Sequence, residues 1–191
     1  MKILAIAGSP RRGNSEFLLS VALKVCEDKN HEITLIRVSD LNISGCIACD
    51  GCKESGICII HDDMDKVYNL IRSCQFLIVA TPIFFFNIPA QLKLLIDRCQ
   101  CFWYEKYLLK RPIKFENFER KALVLLVGGM KKGEIGATCA EATLKAFLRT
   151  VNINKHKTLA YLGFDEPDSI RKHKEIIDEV IETTRTLLEN D

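Results

Sequence analysis

Five short apolar runs, each followed by a segment with helical periodicity, constrain the fold of this chain more than any other feature. The runs lie at residues 2–8, 33–38, 74–81, 122–127 and 158–162. The expected helices lie at residues 15–28, 64–73, 90–100, 138–150 and 167–188. Strands that alternate with helices in this way form a parallel sheet with helices on both faces.

The apolar content of each run indicates its place in the sheet. The first, third and fourth runs are apolar at nearly every position, as in strands buried on both faces, whereas the second alternates apolar and polar residues. We therefore expect an α/β fold with a doubly wound five-stranded parallel sheet, flavodoxin-like, in the order 2-1-3-4-5. The length of 191 residues predicts a single domain over 1–191, with a cysteine-rich loop inserted at about 44–60.

Charge and apolar run length exclude two classes of partner. The net charge of +2 is too small for a surface that binds nucleic acid through its phosphates. No apolar run reaches the roughly 18 to 20 residues that a membrane span requires. The apolar start is too short for a signal peptide, so we expect no membrane partner and a cytoplasmic location, where thiols are mostly reduced.

Four of the nine cysteines, Cys46, Cys49, Cys52 and Cys58, fall within thirteen residues. Three cysteines separated by two residues each let one tight turn place three thiolates around a compact cluster, and the fourth completes the set. Structural zinc usually draws on two separated Cys-x-x-Cys pairs or on mixtures of Cys and His. The spacing favours a [4Fe–4S] cluster on these four residues. A zinc site, an empty thiol site, a disulfide and redox-sensing thiols stay open as alternatives.

The loop at residues 8–15 joins the first strand to the first helix. It combines small residues, hydroxyl and amide side chains and two arginines, which suits an anion at a helix N-terminus. It matches neither the Walker pattern nor Gly-x-Gly-x-x-Gly, which argues against ATP and a tightly bound dinucleotide. The alternative is that Asn14 or Ser15 caps the helix and the arginines lie in solvent.

Two further loops carry features that suit a flat ligand. Three successive phenylalanines, at residues 84–86, follow the most apolar strand and cannot all enter one core, so some should face a flat ligand or a partner subunit. Gly128 and Gly129 end the fourth strand and expose backbone N–H groups, as the polar edge of a ring would need. A plain turn would also use this glycine pair.

Two segments of the chain resemble the NADPH-dependent FMN reductase superfamily of the flavodoxin-like fold. They read Gly8-Ser9-Pro10-Arg11-x-Gly13-Asn14-Ser15 and Pro82-Ile83-Phe84-x-x-Asn87-x-Pro89-Ala90-Gln91-Leu92-Lys93, the latter followed by Asp97-Arg98. The resemblance covers about residues 1–150. It implies that the first loop holds the FMN phosphate, the 82–87 loop packs along the isoalloxazine and the two glycines contact its polar edge. The FMN-binding residues so implied are Ser9, Arg11, Arg12, Gly13, Asn14, Ser15, Pro82, Ile83, Phe84, Phe85, Asn87, Gly128 and Gly129.

With its cysteine motif, the chain resembles more narrowly the iron–sulfur flavoproteins of archaea and anaerobes, including Gly56-x-Cys58 and Asp62-Asp63-Met64. That resemblance implies an FMN-dependent oxidoreductase with a [4Fe–4S] cluster, as a homodimer or homotetramer, that passes electrons between a one-electron donor such as ferredoxin and a redox acceptor. No catalytic side chain is expected, because the cofactors carry the chemistry. The alternatives are an NAD(P)H-dependent FMN or quinone reductase without a cluster, and a non-enzymatic redox carrier or sensor.

Overall fold

The computed structural model describes residues 1–189 and contains five β-strands and six α-helices within that range. The strands are β1 (Lys2–Ala7), β2 (Glu32–Arg37), β3 (Phe76–Pro82), β4 (Lys121–Gly128) and β5 (Lys155–Leu162). The helices are α1 (Asn14–Asp28), α2 (Met64–Ser73), α3 (Ala90–Arg98), α4 (Gln100–Trp103), α5 (Glu134–Thr150) and α6 (Lys174–Glu189). A π-helical turn, Tyr104–Leu108, follows α4.

The five strands form one parallel sheet in the order β2-β1-β3-β4-β5, which confirms the predicted flavodoxin-like topology. β1 pairs with β2 on one side and with β3 on the other, so Ile3 lies between Ile33 and Phe76. The alternating strand β2 stands at the edge, as its partly polar pattern predicts, whereas every residue of β4 is buried. Because all strands run the same way, their carboxyl ends meet along one edge of the sheet.

A separate hydrophobic core lies on each face of the sheet. Successive residues of a strand point to opposite faces, so Leu4 and Ile6 of β1 belong to one core and Ile3 and Ala5 to the other. Helices α2, α3 and α5 cover the first face, and α1 and α6 cover the second. No helix within residues 1–189 is long and apolar enough to cross a membrane.

The last helix begins later than the sequence predicts. A helix from residue 167 is expected, but α6 begins at Lys174, after a 3-10 turn at Ser169–Lys172. Asp168 has a left-handed backbone with a φ of 60°, which interrupts a regular helix there. The side chain of Asn14 holds this connection, because its Nδ2 donates to the carbonyl of Glu166 over 2.9 Å. A long-range contact therefore holds the connection that precedes α6.

The cysteine-rich segment lies in the connection between β2 and α2. It contains turns but no helix or strand over residues 41–63. The acidic pair before α2 ties this segment to its own start: the N–H of Ser44 donates to Asp62 over 2.9 Å, and the N–H of Asn42 donates to Asp63 over 2.7 Å. The expected domain of 1–191 also includes residues 190 and 191, which lie outside the described residues.

Candidate functional site

A cavity of about 800 Å³ opens at the carboxyl edge of the sheet, where α/β proteins of this topology bind their ligands. The loops after β1, β3, β4 and β5 line it. Eleven of the thirteen residues implied for FMN surround it: Ser9, Arg11, Gly13, Asn14, Ser15, Pro82, Ile83, Phe84, Phe85, Gly128 and Gly129. Arg12 and Asn87 are not among the lining residues. That this cavity binds FMN stays a prediction.

One end of the cavity has the properties of an anion site. Gly13 is the N-cap residue of α1, and no side chain hydrogen-bonds to the cap, so the first N–H groups of the helix keep their bonding capacity. A Cβ built on Gly13 would meet no atom within 4 Å. The open space at a positive helix end therefore fits a phosphate group.

The rest of the first loop is held from within and from across the sheet. Ser9 is buried, and its hydroxyl accepts from the N–H of Arg11 over 3.2 Å and donates to the carbonyl of Arg11 over 2.5 Å. Asn14 is also buried, but its amide is engaged with the β5–α6 connection, where its Oδ1 accepts from the N–H of Ile170 over 3.4 Å. Asn14 therefore acts by positioning the loop rather than by offering its amide to a ligand.

The phenylalanine segment forms a strained two-residue hairpin at the mouth of the cavity. Phe84 and Asn87 exchange backbone hydrogen bonds of 2.7 and 2.9 Å, and Phe85 and Phe86 between them have φ values of 47° and 61°. Such a turn usually contains Asn and Gly, since bulky residues adopt positive φ only at a cost of roughly 1–3 kcal/mol. Phe85 is fully exposed. An exposed aromatic in a strained backbone is typical of a ligand or subunit contact.

Asn87 supports this hairpin from behind. Its Oδ1 accepts from the N–H of Ile88 over 2.8 Å and from the hydroxyl of Thr143 on α5 over 3.0 Å. The side chain thus fixes the loop after β3 onto the neighbouring helix. Asn87, which the resemblance implies as an FMN contact, therefore supports the residues that line the cavity.

Part of the cavity wall comes from residues that sequence reasoning missed. Met130, Gly133, Gly136, Leu162, Phe164, Asp165 and Pro167 also line it. The segment after β5 contributes because the N–H of Phe164 bonds to the carbonyl of Gly128 over 3.0 Å and because Asn14 binds the same segment. Its position after the fifth strand, at the carboxyl edge, was the available signal.

The four clustered cysteines border a second, smaller cavity of about 30 Å³. All four are free thiols; Cys46 and Cys49 are exposed, and Cys52 and Cys58 are partly buried and pack against the core. Burial raises the pKa of Cys52, and the charges of Cys58, Cys46 and Cys49 raise it further. Within residues 1–189, no three His, Cys, Asp or Glu side chains are arranged to hold a metal ion. The four cysteines that line this cavity are the donors that a [4Fe–4S] cluster uses, although no three of them are arranged around a single metal ion.

The remaining cysteines separate into buried thiols and one exposed thiol. Cys26, Cys74, Cys99 and Cys101 are buried, and Cys139 on α5 is exposed. Burial raises the pKa of Cys26 and Cys101 to about 12 and also raises that of Cys74 and Cys99, so these groups stay neutral. His61 lies outside both cavities, with its Nδ1 3.0 Å from Asp65 Oδ2.

Comparison with known proteins identifies relatives for the sequence and for the fold. The chain is 36% identical over 134 residues to an iron-sulfur flavoprotein of Methanosarcina thermophila, an alignment that covers 70% of this chain and 66% of that protein. It is 37% identical over 99 residues to an iron-sulfur flavoprotein of Archaeoglobus fulgidus, covering 51% of this chain and 45% of that one. The chain thus spans about half to two-thirds of the length of these relatives. These names confirm the narrower resemblance seen in the sequence.

The fold has neighbours among solved structures. An NAD(P)H:quinone oxidoreductase from Methanothermobacter marburgensis superimposes with a TM-score of 0.73 and 18% identity, over 100% of this chain and 97% of that one. At that identity the likeness shows the fold alone. The sequence profile of the NADPH-dependent FMN reductases matches residues 1–161, from β1 through nearly all of β5. Since this match covers well over half of the sequence, the chain belongs to the NADPH-dependent FMN reductase family.

Proposed function

We propose that this chain is an FMN-dependent oxidoreductase that also holds a [4Fe–4S] cluster and passes electrons between a one-electron donor such as ferredoxin and a redox acceptor. The observation that carries the proposal is the 800 Å³ cavity, in which the uncapped start of α1 faces open space beside Gly13. The four thiols that surround a separate cavity in the loop after β2 support the cluster. The curated relatives named iron-sulfur flavoprotein support the pairing of both groups in one chain.

Each part of the large cavity has a distinct role toward FMN. The N–H groups at the start of α1 would bind the phosphate, with Arg11 as a nearby cation at the cavity wall. Ile83 and Phe84 would pack along the flat ring, and the N–H groups of Gly128 and Gly129 would meet its polar edge. FMN takes up electrons singly or in pairs, whereas a cluster takes them singly. A protein that holds both cofactors would therefore convert between one-electron and two-electron transfer. The protein supplies binding and orientation.

A second candidate function is an NAD(P)H-dependent FMN or quinone reductase that works without a cluster. The exposed phenylalanine hairpin favours it, because Phe84 and Phe86 are about half exposed and Phe85 is fully exposed at the cavity mouth. A planar nicotinamide or quinone could stack on these rings. The family to which the chain belongs, the NADPH-dependent FMN reductases, supports NAD(P)H as the donor. Oxidation of NADPH, compared with oxidation of reduced ferredoxin, distinguishes the two candidates.

Assembly and location form part of the proposal. The phenylalanine hairpin, Met130 and Ile135 leave large apolar side chains exposed near the cavity, which supports a homodimer or homotetramer. A reducing compartment such as the cytoplasm would keep all nine cysteines as thiols until a cluster is assembled. Sedimentation of the purified protein measures its oligomeric state directly.

Replacing Cys49 by alanine is expected to remove the cluster and leave FMN in place. Cys49 is exposed and borders only the cysteine cavity, so its loss takes away a ligand without disturbing the core or the flavin cavity. Iron and sulfide should fall from about four of each per chain to near zero, with FMN unchanged. Anaerobic purification followed by iron, sulfide and flavin assays measures this.

The matched control is Cys139→Ala, which removes an exposed thiol from α5, outside both cavities. It should keep full iron and flavin content. If Cys49→Ala retained its iron, Cys49 would not be a ligand. If it lost FMN together with iron, the cysteine segment would be a structural support for the flavin site instead.

A further inference from the structure

A buried arginine holds both ends of the cysteine-rich segment. Arg98 is the last residue of α3, and its side chain is fully buried. Its Nη1 donates to the carbonyl of Ser44, before the first cysteine, over 2.9 Å, and its Nη2 donates to the carbonyl of Ile60, after the last, over 2.8 Å. The guanidinium therefore closes the segment that carries all four cysteines.

Asp62 completes this arrangement and keeps the arginine charged. The Nη1 of Arg98 also donates to Asp62 Oδ2 over 2.6 Å, and the same carboxylate accepts from the N–H of Ser44 over 2.9 Å. Burial lowers the pKa of Arg98, but its hydrogen bond with Asp62 outweighs burial and holds that pKa above its ordinary value. The group is a permanent cation beside the cysteine segment.

The Nε–H donor of Arg98 takes no part in these hydrogen bonds. Its Nε is buried, and no acceptor reaches it among residues 1–189, although both terminal nitrogens are bonded. A buried donor of a charged group without a partner is costly, and most such groups in proteins have one. Arg98 also borders the small cavity lined by the four cysteines.

An acceptor for the unpaired Nε–H would lie in the cysteine cavity that Arg98 borders. We propose that Arg98 donates a hydrogen bond from Nε to a sulfur of the iron–sulfur cluster on Cys46, Cys49, Cys52 and Cys58, and thereby raises the reduction potential of that cluster. The inference rests on the proposed function, since it requires the cluster. Hydrogen bonds to cluster sulfurs and nearby positive charge both stabilise the reduced form, which carries one more negative charge.

The direct test uses the protein purified anaerobically after growth with arginine labelled with the heavy nitrogen isotope. Pulsed electron paramagnetic resonance of the dithionite-reduced protein should show a magnetic coupling between the cluster and a labelled arginine nitrogen. The coupling should be absent from Arg98→Lys, which keeps the positive charge but has no Nε–H beside a fork of donors. A cluster-containing wild-type protein without any such coupling would overturn the inference.

A redox titration of the cluster provides the second readout. Arg98→Lys should shift the midpoint potential to a lower value, because the charge is retained while the hydrogen bond to sulfur is lost. Asp62→Asn should retain the arginine coupling and shift the potential to a higher value, because it removes a negative charge near the cluster. A purely structural arginine would give no coupling.

Different results would contradict the proposed cluster and the proposed hydrogen bond. If the wild-type protein contains no iron or sulfide, the proposed cluster is wrong, and the inference falls with it. If the wild-type protein contains the cluster but its potential is the same in Arg98→Lys, only the hydrogen bond is wrong. If Arg98→Lys does not assemble a cluster, the coupling in the labelled wild-type protein still decides the question.

Discussion

Replacing Gly13 by leucine is expected to weaken FMN binding at least about 100-fold, equivalent to about 2.8 kcal/mol. The new side chain would extend from the N-cap position of α1 into the space assigned to the phosphate. It would cover the N–H groups and the positive end of the helix dipole that together bind an anion.

The same substitution should leave the fold intact. A Cβ at Gly13 meets no atom within 4 Å, and its φ of −174° is extended backbone that any residue adopts. The N-cap change itself should cost no more than about 1 kcal/mol of folding free energy. Titration of the apoprotein with FMN, followed by flavin fluorescence, gives the dissociation constant, and thermal unfolding checks the fold.

Ser20→Leu is the matched control, because it adds an apolar side chain to an exposed position of the same helix. FMN affinity should then stay within about twofold of the wild type. Equal FMN affinity in Gly13→Leu and wild type would place the phosphate elsewhere and contradict the assignment of the cavity.

Replacing Arg120 by methionine is expected to lower the free energy of unfolding by about 3 kcal/mol. Arg120 is buried, and its guanidinium donates to three carbonyl oxygens, those of Ile71, Cys74 and Val151, over 2.5, 3.0 and 2.5 Å. Ile71 and Cys74 lie at the end of α2, and Val151 lies at the end of α5. The cation thus caps two helix C-termini at once, where positive charge is favourable.

Methionine would fill part of the space but leave the carbonyls of Cys74 and Val151 without a donor, at roughly 1–3 kcal/mol each, and that of Ile71 with only the thiol of Cys74. Removal of the desolvated charge offsets part of that loss. The unfolding temperature should fall by roughly 10 °C. The control is Arg171→Met: Arg171 is exposed, pairs with exposed Asp168 and lies over Phe17, so less than about 1 kcal/mol should be lost. Equal losses in the two variants would show that the buried bonds add no stability.

Much of the fold follows from patterns within single segments. The apolar runs predict all five strands, because burial on both faces demands continuous apolar sequence in β1, β3 and β4. The polar alternation of β2 correctly predicts an edge position. The first helix and α2 lie within one residue of their predicted bounds, because their apolar faces repeat at helical spacing.

Contacts between distant segments account for what the sequence does not show. The connection before α6 is held by Asn14, which lies 152 positions before its partner Glu166. The helix expected over residues 90–100 ends at Arg98, and α4 and the π-helical turn after it extend helical structure to Leu108. Nothing in the local sequence distinguishes Arg98 and Arg120, which are buried, from Arg171, which is exposed. Only the neighbours supplied by the fold make that difference.

The candidate site shows the same division. The first loop and the glycines after β4 reach the cavity because parallel strands bring their carboxyl ends to one edge. The unusual hairpin at Phe85 and Phe86 is not predicted, since both residues disfavour the positive φ that they adopt. The sequence does predict that some of these aromatics stay out of the core, and their exposure agrees with that reasoning.

The central claim is that one chain holds both a flavin and a cluster. Anaerobic purification, followed by an absorbance spectrum and by assays of FMN, iron and sulfide on the same sample, tests it most directly. The account predicts one FMN with about four iron and four sulfide per chain, and a broad absorbance near ~400 nm that dithionite bleaches. FMN without iron would contradict the cluster and favour the NAD(P)H-dependent reductase. A protein that binds no FMN, even when supplied with it, would contradict the account as a whole.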